Sequence, residues 1–300
     1  MTNPSATTAL VVAGFGRRGR LSSGNEELAY LCKGRKIKPV VGDTVEYVPG
    51  PPGEPVIVES VCPRRNELRR SGHRGQPDTL AANVDLLLVI MAHQPPPEAF
   101  VTDRYLAAAE VMGCEAAVVL NKSDLNDTDD LLEEYAALGY PVLSTSASAG
   151  TGVDAIAALL AENTGILVGQ SGVGKSSLIN ALIPGADAAV ATISSASGEG
   201  RHTTTASMIH RVESASGEGR LIDSPGVRDF LPYLSDTREV QCGFREIDAA
   251  AAECRFANCH HLREPNCAVK AAVDSGDITQ RRYDSYKRLY HMTQDAQQAD

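Results

Sequence analysis

The segment Gly169-Gln170-Ser171-Gly172-Val173-Gly174-Lys175-Ser176 carries the spacing G-x-x-x-x-G-K-[ST], and each residue type in it has a chemical task. The glycines let successive backbone N–H groups turn inward around a β-phosphate, and a following helix N-terminus adds its positive end. Lys175 would bridge the β- and γ-phosphates, the Ser176 hydroxyl would ligate Mg²⁺, and Ser177 could reach the α-phosphate. The pattern follows an apolar strand, Ile166 to Val168, and opens a helix over Lys175 to Leu182. The pattern implies a nucleoside triphosphate.

Which base it carries is addressed by Asn121-Lys122-Ser123-Asp124, placed directly after an apolar strand ending at Leu120. An aspartate there accepts the N1 and N2 protons of guanine, a pair of donors that adenine does not offer. The Asn121 side chain and the Lys122 stem would complete the pocket wall, and the Ser146-Ala147 step could present a backbone N–H to the guanine O6. Asp223-Ser224-Pro225-Gly226 follows a third strand, Arg220 to Ile222. Its aspartate would hold Mg²⁺ through water, and the Gly226 N–H would sense the γ-phosphate. Together these motifs resemble the G-domain of translation-type GTPases, with one departure in order. Here N-K-S-D and S-A precede the phosphate loop instead of following D-x-x-G, which amounts to a circular permutation of the same sheet. The segment after Gly226 then leads straight into the C-terminal part of the chain, so nucleotide state could be passed on there.

Pro184 to Arg201 is rich in Ala, Ser and Gly and ends at His202-Thr203-Thr204-Thr205. A loop of that length in a compact domain is usually functional. One of its threonines should complete the Mg²⁺ shell, Thr204 first and Thr203 next. Val227 stands where Ras-like enzymes place a water-positioning glutamine, and an apolar side chain cannot orient water. His202 is the candidate for that role, against the alternative of a histidine that only packs or faces solvent. Slow intrinsic hydrolysis and a partner that orders the loop are the corollaries.

A second centre is Cys254-x4-Cys259-x-His261-x5-Cys267. Three thiols and an imidazole so close together suit a closed, structural tetrahedral Zn²⁺ site, with His260 as an alternative ligand. Cys32, Cys62, Cys114 and Cys242 lack such company and are expected to pack. Beyond the cluster, Arg281-Arg282 and Lys287-Arg288 with Tyr283, Tyr286 and Tyr290 form a helical basic-aromatic stripe. Such a stripe either clamps RNA or packs by its tyrosines.

The elements that must position these groups follow from composition and pattern. Three hundred residues suggest two or three domains. Apolar content of 43% and charged content of 22% exclude a disordered or collagen-like chain. The longest apolar run, Leu86 to Ala92, has the length of a buried strand and not of a membrane span. Met1 to Leu10 carries no positive charge ahead of its apolar stretch, and seven cysteines is an odd count, so we expect a reducing, cytoplasmic location, no membrane and a monomer.

The net charge of −10 is unevenly divided. Residues 1–74 hold 12 Lys/Arg against 7 Asp/Glu, whereas 75–235 hold 7 against 20 and 236–300 hold 9 against 11. A basic first module on an acidic chain suggests a polyanionic partner for that module, although a solvated charged face gives the same count. That module reads as short strands over Ala9 to Ala13, Ala29 to Cys32, Asp43 to Tyr47 and Pro55 to Val61, which suits a small barrel. The basic groups Gly16 to Arg20, Lys33 to Lys36 and Arg64-Arg65 fall in or near its loops, and Arg69 to Thr79 reads as a linker. From Asn83 strands and helices alternate: strands over Val84 to Met91, Ala116 to Leu120 and Pro141 to Leu143, helices over Thr102 to Met112, Asp129 to Leu138 and Val153 to Leu160. That alternation predicts a parallel sheet covered on both faces. From about Ser235 the chain reads as helical.

Taken as a whole, residues 15–295 resemble the RsgA (YjeQ) family of bacterial small-subunit-dependent GTPases. The resemblance rests on the permuted order, Gly169 to Asn180, Gly200 to Thr205, Asp223 to Phe230, the Cys/His cluster, and Pro39 to Glu46 in the barrel. It implies three parts: an N-terminal all-β OB-fold over 1–74 with a linker to about 82, a central α/β circularly permuted P-loop GTPase over 83–235, and a helical zinc-binding domain over 236–300. It further implies GTP hydrolysis to GDP and phosphate, contact with the small (30S) ribosomal subunit and its rRNA in late maturation, hydrolysis stimulated by that subunit and coupled to release, and a catalytic role for His202 beside Lys175. The competing readings are a nucleotide-gated RNA-binding module with vestigial hydrolysis and a permuted GTPase acting on the large subunit.

Overall fold

The computed structural model describes residues 7–72, 77–125, 130–185, 207–224 and 232–298. His202, Thr203, Thr204, Thr205, Gly226 and Val227 lie outside them.

Residues 7–61 build a five-stranded barrel from β1 (Thr7–Phe15), β2 (Arg18–Ser23), β3 (Glu26–Cys32), β4 (Thr44–Val48) and β5 (Val56–Val61). Its strands run in the order β1-β2-β3-β5-β4, and a β1–β4 pairing closes it. All neighbours are antiparallel except β3 and β5. Closure removes the exposed edge a five-stranded sheet would otherwise have. Val11, Leu21, Tyr30, Val45 and Val58 fill the interior, each 1% exposed or less.

Two expectations change here. Arg18 and Arg20 belong to β2, not to a loop, because Gly19 and Leu21 alternate inward between them. The stretch read as a linker is an antiparallel hairpin, β6 (Glu67–Ser71) and β7 (Pro77–Ala82), paired Leu68↔Ala81 and Arg70↔Asp78. Leu68 and Ala81 are buried with Tyr105 and Ala109, so the hairpin is part of the core.

The central sheet contains β8 (Leu86–Ala92), β9 (Glu115–Asn121), β10 (Val142–Ser144), β11 (Thr164–Gly169), β12 (Ser207–Ser214) and β13 (Gly217–Asp223), in the order β10-β9-β8-β11-β13-β12. The first five positions are parallel, and β12 is an antiparallel edge. In β8 the side chains alternate between two cores, as a strand buried on both faces requires. Leu87, Val89 and Met91 face α1 (Ala99–Met112) and α2 (Asp130–Ala137); Leu86, Leu88 and Ile90 face α3 (Val153–Leu160) and α4 (Lys175–Leu182). The edge strand β12 also pairs with β1, Ala13 opposite Met208, which makes one continuous eleven-stranded sheet of the two parts.

The remaining chain is helical: α5 (Thr237–Cys242), α6 (Arg245–Ala251), α7 (Ala268–Ser275) and α8 (Gln280–Gln298). The basic-aromatic stripe of α8 packs by its tyrosines, and its first two arginines are turned inward while Arg288 stays exposed. Arg282 and Tyr286 are each 1% exposed, and Tyr283 and Tyr290 are buried beside Phe244 and Leu289. Arg281 and Arg282 turn inward to Asp103 of α1 at 2.7 and 2.8 Å. Among the other cysteines Cys32 is buried, Cys62 and Cys114 are partly so, and Cys242 is exposed instead of packed. No helix among the described residues is long and apolar enough to cross a membrane.

Candidate functional site

Parallel strands deliver their loops to the same edge, so β8, β9, β10, β11 and β13 bring their C-terminal ends together. The strand β11 ends at Gly169, whose φ is 138° and whose missing Cβ would otherwise sit 2.1 Å from the Ile90 carbonyl. Only glycine allows the loop to leave the sheet so close to β8. Helix α4 then starts at Lys175, which is 7% exposed, and its Nζ donates to the carbonyls of Gly169 at 2.6 Å and Gln170 at 2.7 Å. The ammonium is thereby held over the loop's mouth. Ser171, Gly172, Ser176 and Ser177 are exposed around it, while Val173 is buried and anchors the turn in the α4 core. The Gln170 amide oxygen accepts from the Glu98 N–H at 3.3 Å.

The base motif is built onto the same frame. Asn121, buried at the end of β9, donates from Nδ2 to the Val173 carbonyl at 2.9 Å and accepts at Oδ1 from the Ala147 N–H at 3.1 Å. One side chain thus links the phosphate loop to the Ser146-Ala147 turn. Gly174, with φ at 96°, makes room for it: a Cβ there would lie 2.3 Å from Asn121 Nδ2. Lys122, held at φ 64°, donates from Nζ to the carbonyls of Gly172 at 2.7 Å and Gln94 at 2.8 Å. Its stem therefore spans the loop as a wall. The Ser123 N–H donates to Thr145, which starts the short 3-10 turn over Ser123–Leu125.

Asp124 is exposed, and its carboxylate is aimed by two hydroxyls: Ser146 Oγ donates to Oδ1 at 2.5 Å and Ser148 Oγ to Oδ2 at 3.2 Å. The Ser146 bond is the main reason its carboxyl stays below the usual range. Gln94 and Ser148 lie outside the motifs read from the sequence. Ser148 lies two residues past Ser146, and that offset is the signal that could have found it.

Asp223 ends β13, 8% exposed, opposite Met208 of β12. Ser224 beside it shares a 2.6 Å hydroxyl contact with Ser207. The Asp223 carboxylate and Ser176 hydroxyl are hard oxygen donors of the kind Mg²⁺ takes, together with phosphate oxygens.

The second cluster is assembled by residues 254–267. Cys254, Cys259, His261 and Cys267 offer ligand atoms that all lie within 4.8 Å of one another. A tetrahedral zinc with Zn–S of about 2.3 Å and Zn–N of about 2.0 Å requires ligand separations of about 3.8 Å for S···S and about 3.5 Å for S···N. Cys254 and Cys267 Sγ are 3.8 Å apart, and His261 Nδ1 lies 3.5 and 3.4 Å from them. The donor set fits the ion. His260 packs instead on the Tyr290 ring at 5.5 Å, outside the group of four.

Burial pushes the Cys259 thiol up to about 12. Burial also opposes ionisation of Cys254, but the Val269 and Ala268 N–H groups at the start of α7 outweigh it and hold that thiol below its ordinary value. Glu264 closes the loop from below, accepting from the His260, Leu262 and Arg263 N–H groups at 2.8, 2.9 and 3.0 Å.

The RsgA GTPase family model matches residues 61–231. A protein of Ectopseudomonas mendocina named small ribosomal subunit biogenesis GTPase RsgA is 42% identical over 294 residues, covering 94% of this chain and 84% of that protein. The crystal structure of YjeQ from Thermotoga maritima superimposes with a TM-score of 0.74 at 30% identity, covering 96% of this chain and 98% of the other. That of YloQ, described as a circularly permuted GTPase, superimposes with a TM-score of 0.70 at 25% identity, covering 97% and 96%. With the phosphate loop on the fourth strand of its central domain and the guanine motif on the second, the chain belongs to the RsgA GTPase family.

Proposed function

We propose that this GTPase acts in late maturation of the small ribosomal subunit; its relatives are named small ribosomal subunit biogenesis GTPases. The observation that carries the nucleotide assignment is the single frame joining both ends of the site. Asn121 and Lys122 are hydrogen-bonded to the phosphate loop at Val173 and Gly172, while Asp124, aimed by Ser146 and Ser148, waits at the base end. A guanine base would lie between Asn121, Lys122 and Asp124, with Ala147 N–H available to O6. The phosphates would rest on the Gly169 to Ser177 backbone, Lys175 supplying charge to the β- and γ-oxygens.

Ser176, Thr204 and Asp223 would hold Mg²⁺, which neutralises charge developing on the transferred phosphoryl group. His202 would orient the attacking water, and the β–γ bridge breaks to give GDP and phosphate. Gly226 would report the γ-phosphate to the segment leading into α5. The Cys₃His cluster would hold one structural Zn²⁺ and leave no open coordination position, so it folds the loop and takes no part in hydrolysis. We assign the barrel within residues 1–74 as the rRNA-contacting part, 83–235 together with the hairpin before it as the GTPase domain and 236–300 as the zinc domain of a cytoplasmic monomer without membrane contact.

The test is steady-state GTP hydrolysis by the protein alone, with purified small subunits, and with large subunits. A low basal rate raised many-fold by small subunits alone supports the reading. Stimulation by large subunits moves the target, and no stimulation by either removes it. His202→Ala should abolish the stimulated rate while leaving GDP affinity unchanged.

A further inference from the structure

We propose that Gln241 is a positioning residue for the metal centre, fixing which nitrogen of His261 faces the metal. This rests on the zinc reading above and deepens it. His261 is 1% exposed and sits at φ 59°, a left-handed conformation that a side-chain-bearing residue rarely adopts. That turn directs Nδ1 toward Cys254 and Cys267 and Nε2 toward α5, where Gln241 Oε1 lies 3.1 Å away. Its backbone is held as well, since the Tyr283 hydroxyl donates to the His261 carbonyl.

The proton assignment follows from the donor inventory. A metal at the cluster takes the Nδ1 lone pair, so Nε2 carries the hydrogen and donates to the Gln241 oxygen. The amide cannot turn over. Its Nε2 donates to the Asp248 carboxylate at 3.0 Å, and a carboxylate only accepts. A flipped amide would set oxygen against the carboxylate and NH₂ against the imidazole N–H. Asp248 on α6 therefore locks Gln241, and Gln241 locks the tautomer and ring orientation of His261. A partner of this kind makes the imidazole a stronger ligand and removes the entropy of ring rotation before the metal arrives. Neither residue carries a sequence signal, because both lie outside the Cys/His spacing.

The experiment uses full-length protein, zinc content by mass spectrometry, and zinc affinity by competition with a chromogenic chelator. Wild type should hold one zinc, and Gln241→Leu should weaken it about 10- to 100-fold. The exchanged pair Gln241→Glu with Asp248→Asn keeps both hydrogen bonds, an asparagine amide now donating to a carboxylate that accepts from His261. It should return affinity to within about threefold of wild type, whereas leucine, of similar bulk but unable to accept from Nε2, does not, which separates the hydrogen bond from space-filling. In wild-type protein, ¹⁵N-histidine spectra should show one metal-bound imidazole protonated at Nε2. Undiminished affinity in Gln241→Leu, an exchanged pair as weak as Gln241→Leu, or protonation at Nδ1 each overturns the relay while leaving the zinc reading intact. A wild-type protein without zinc, or one whose zinc survives Cys254→Ser, overturns both.

Discussion

The barrel and the C-terminal helices are fastened to the same central domain in opposite ways. The barrel is joined through backbone: β1 continues the sheet at β12, and the Ala82 N–H donates to the Val41 carbonyl at 3.0 Å. Its ionic contacts are open to solvent: Arg64, which meets Asp43 and Glu67, is 24% exposed, and Arg65, which meets Asp85 at 2.8 Å, is 63% exposed. Among the described residues the helices from Thr237 onward share no strand with the sheet, and their attachment is made of side chains. Arg282, 1% exposed, sits between Asp103 of α1 and Glu246 of α6 with its guanidinium over the Phe244 ring at 4.5 Å. Arg281 joins Asp103 to Glu134 of α2, and Arg245 binds Glu110 at 2.6 Å while stacking on Tyr140 at 3.9 Å. A backbone joint is indifferent to most substitutions. A joint centred on a buried charge such as Arg282 depends on each partner being present, since removing one strands the other in low dielectric, although Arg281 and Arg245 at its margin are 33% and 34% exposed.

Metal removal breaks the contrast most sharply. The Cys₃His cluster closes the loop that carries Tyr283 and Tyr286 contacts to the His261 and His260 carbonyls. Structural zinc supplies on the order of 10 kcal/mol of apparent binding free energy in small zinc domains. Chelation should therefore raise amide exchange throughout α6 to α8 while the barrel strands keep their protection. Equal loss of protection in both modules would show that the two joints are not independent.

Arg282→Ala comes next, with an expected cost of about 3–5 kcal/mol from the buried carboxylates it abandons, read by denaturant unfolding. Arg282→Lys should recover little, because an ammonium cannot bridge Asp103 and both Glu246 oxygens as the planar fork does. On the barrel side, Arg64→Ala should cost about 1–3 kcal/mol. Asp43, wholly buried, still accepts from the Val40 N–H at 2.8 Å, and the sheet joint is untouched. A larger loss in Arg64→Ala than in Arg282→Ala would reverse the comparison.

The same difference explains what could be read from the sequence. Local grammar was enough for the phosphate loop, for helices 153–160 and 175–182 at both ends, and for the four-ligand cluster, because each is specified within a few neighbouring residues. The hairpin over residues 67–82 was concealed by its own charges. Arg70 and Asp78 look like linker residues until they are seen opposite each other, 2.8 Å apart. The inward turn of Arg281 and Arg282 had no local signal, because the carboxylates they meet, Asp103 and Glu134, lie about 150 residues or more upstream. No window along the chain holds both halves of such a pair. Gln241, which orients His261 from twenty residues upstream, likewise carried no motif.

Salt provides the finest distinction between the two joints. Raising ionic strength from 0.1 to 1 M shortens the screening length from about 10 to about 3 Å. Exposed pairs lose most of their small contribution, while pairs sealed from solvent are little affected. Arg70–Asp78 in the hairpin, with side chains 41% and 52% exposed, should contribute no more than about 1 kcal/mol at low salt and almost nothing at 1 M. Partly open Arg64 should lie between the extremes, and the cost of Arg282→Ala should barely move, because water and ions do not reach Asp103. The measurement is the unfolding free energy of the three alanine variants relative to wild type at both salt concentrations. If the Arg282→Ala cost falls with salt as steeply as the Arg70→Ala cost, ions reach the α1–α8 joint in solution, and the side-chain attachment opens on the timescale of unfolding instead of holding the helices rigidly to the sheet.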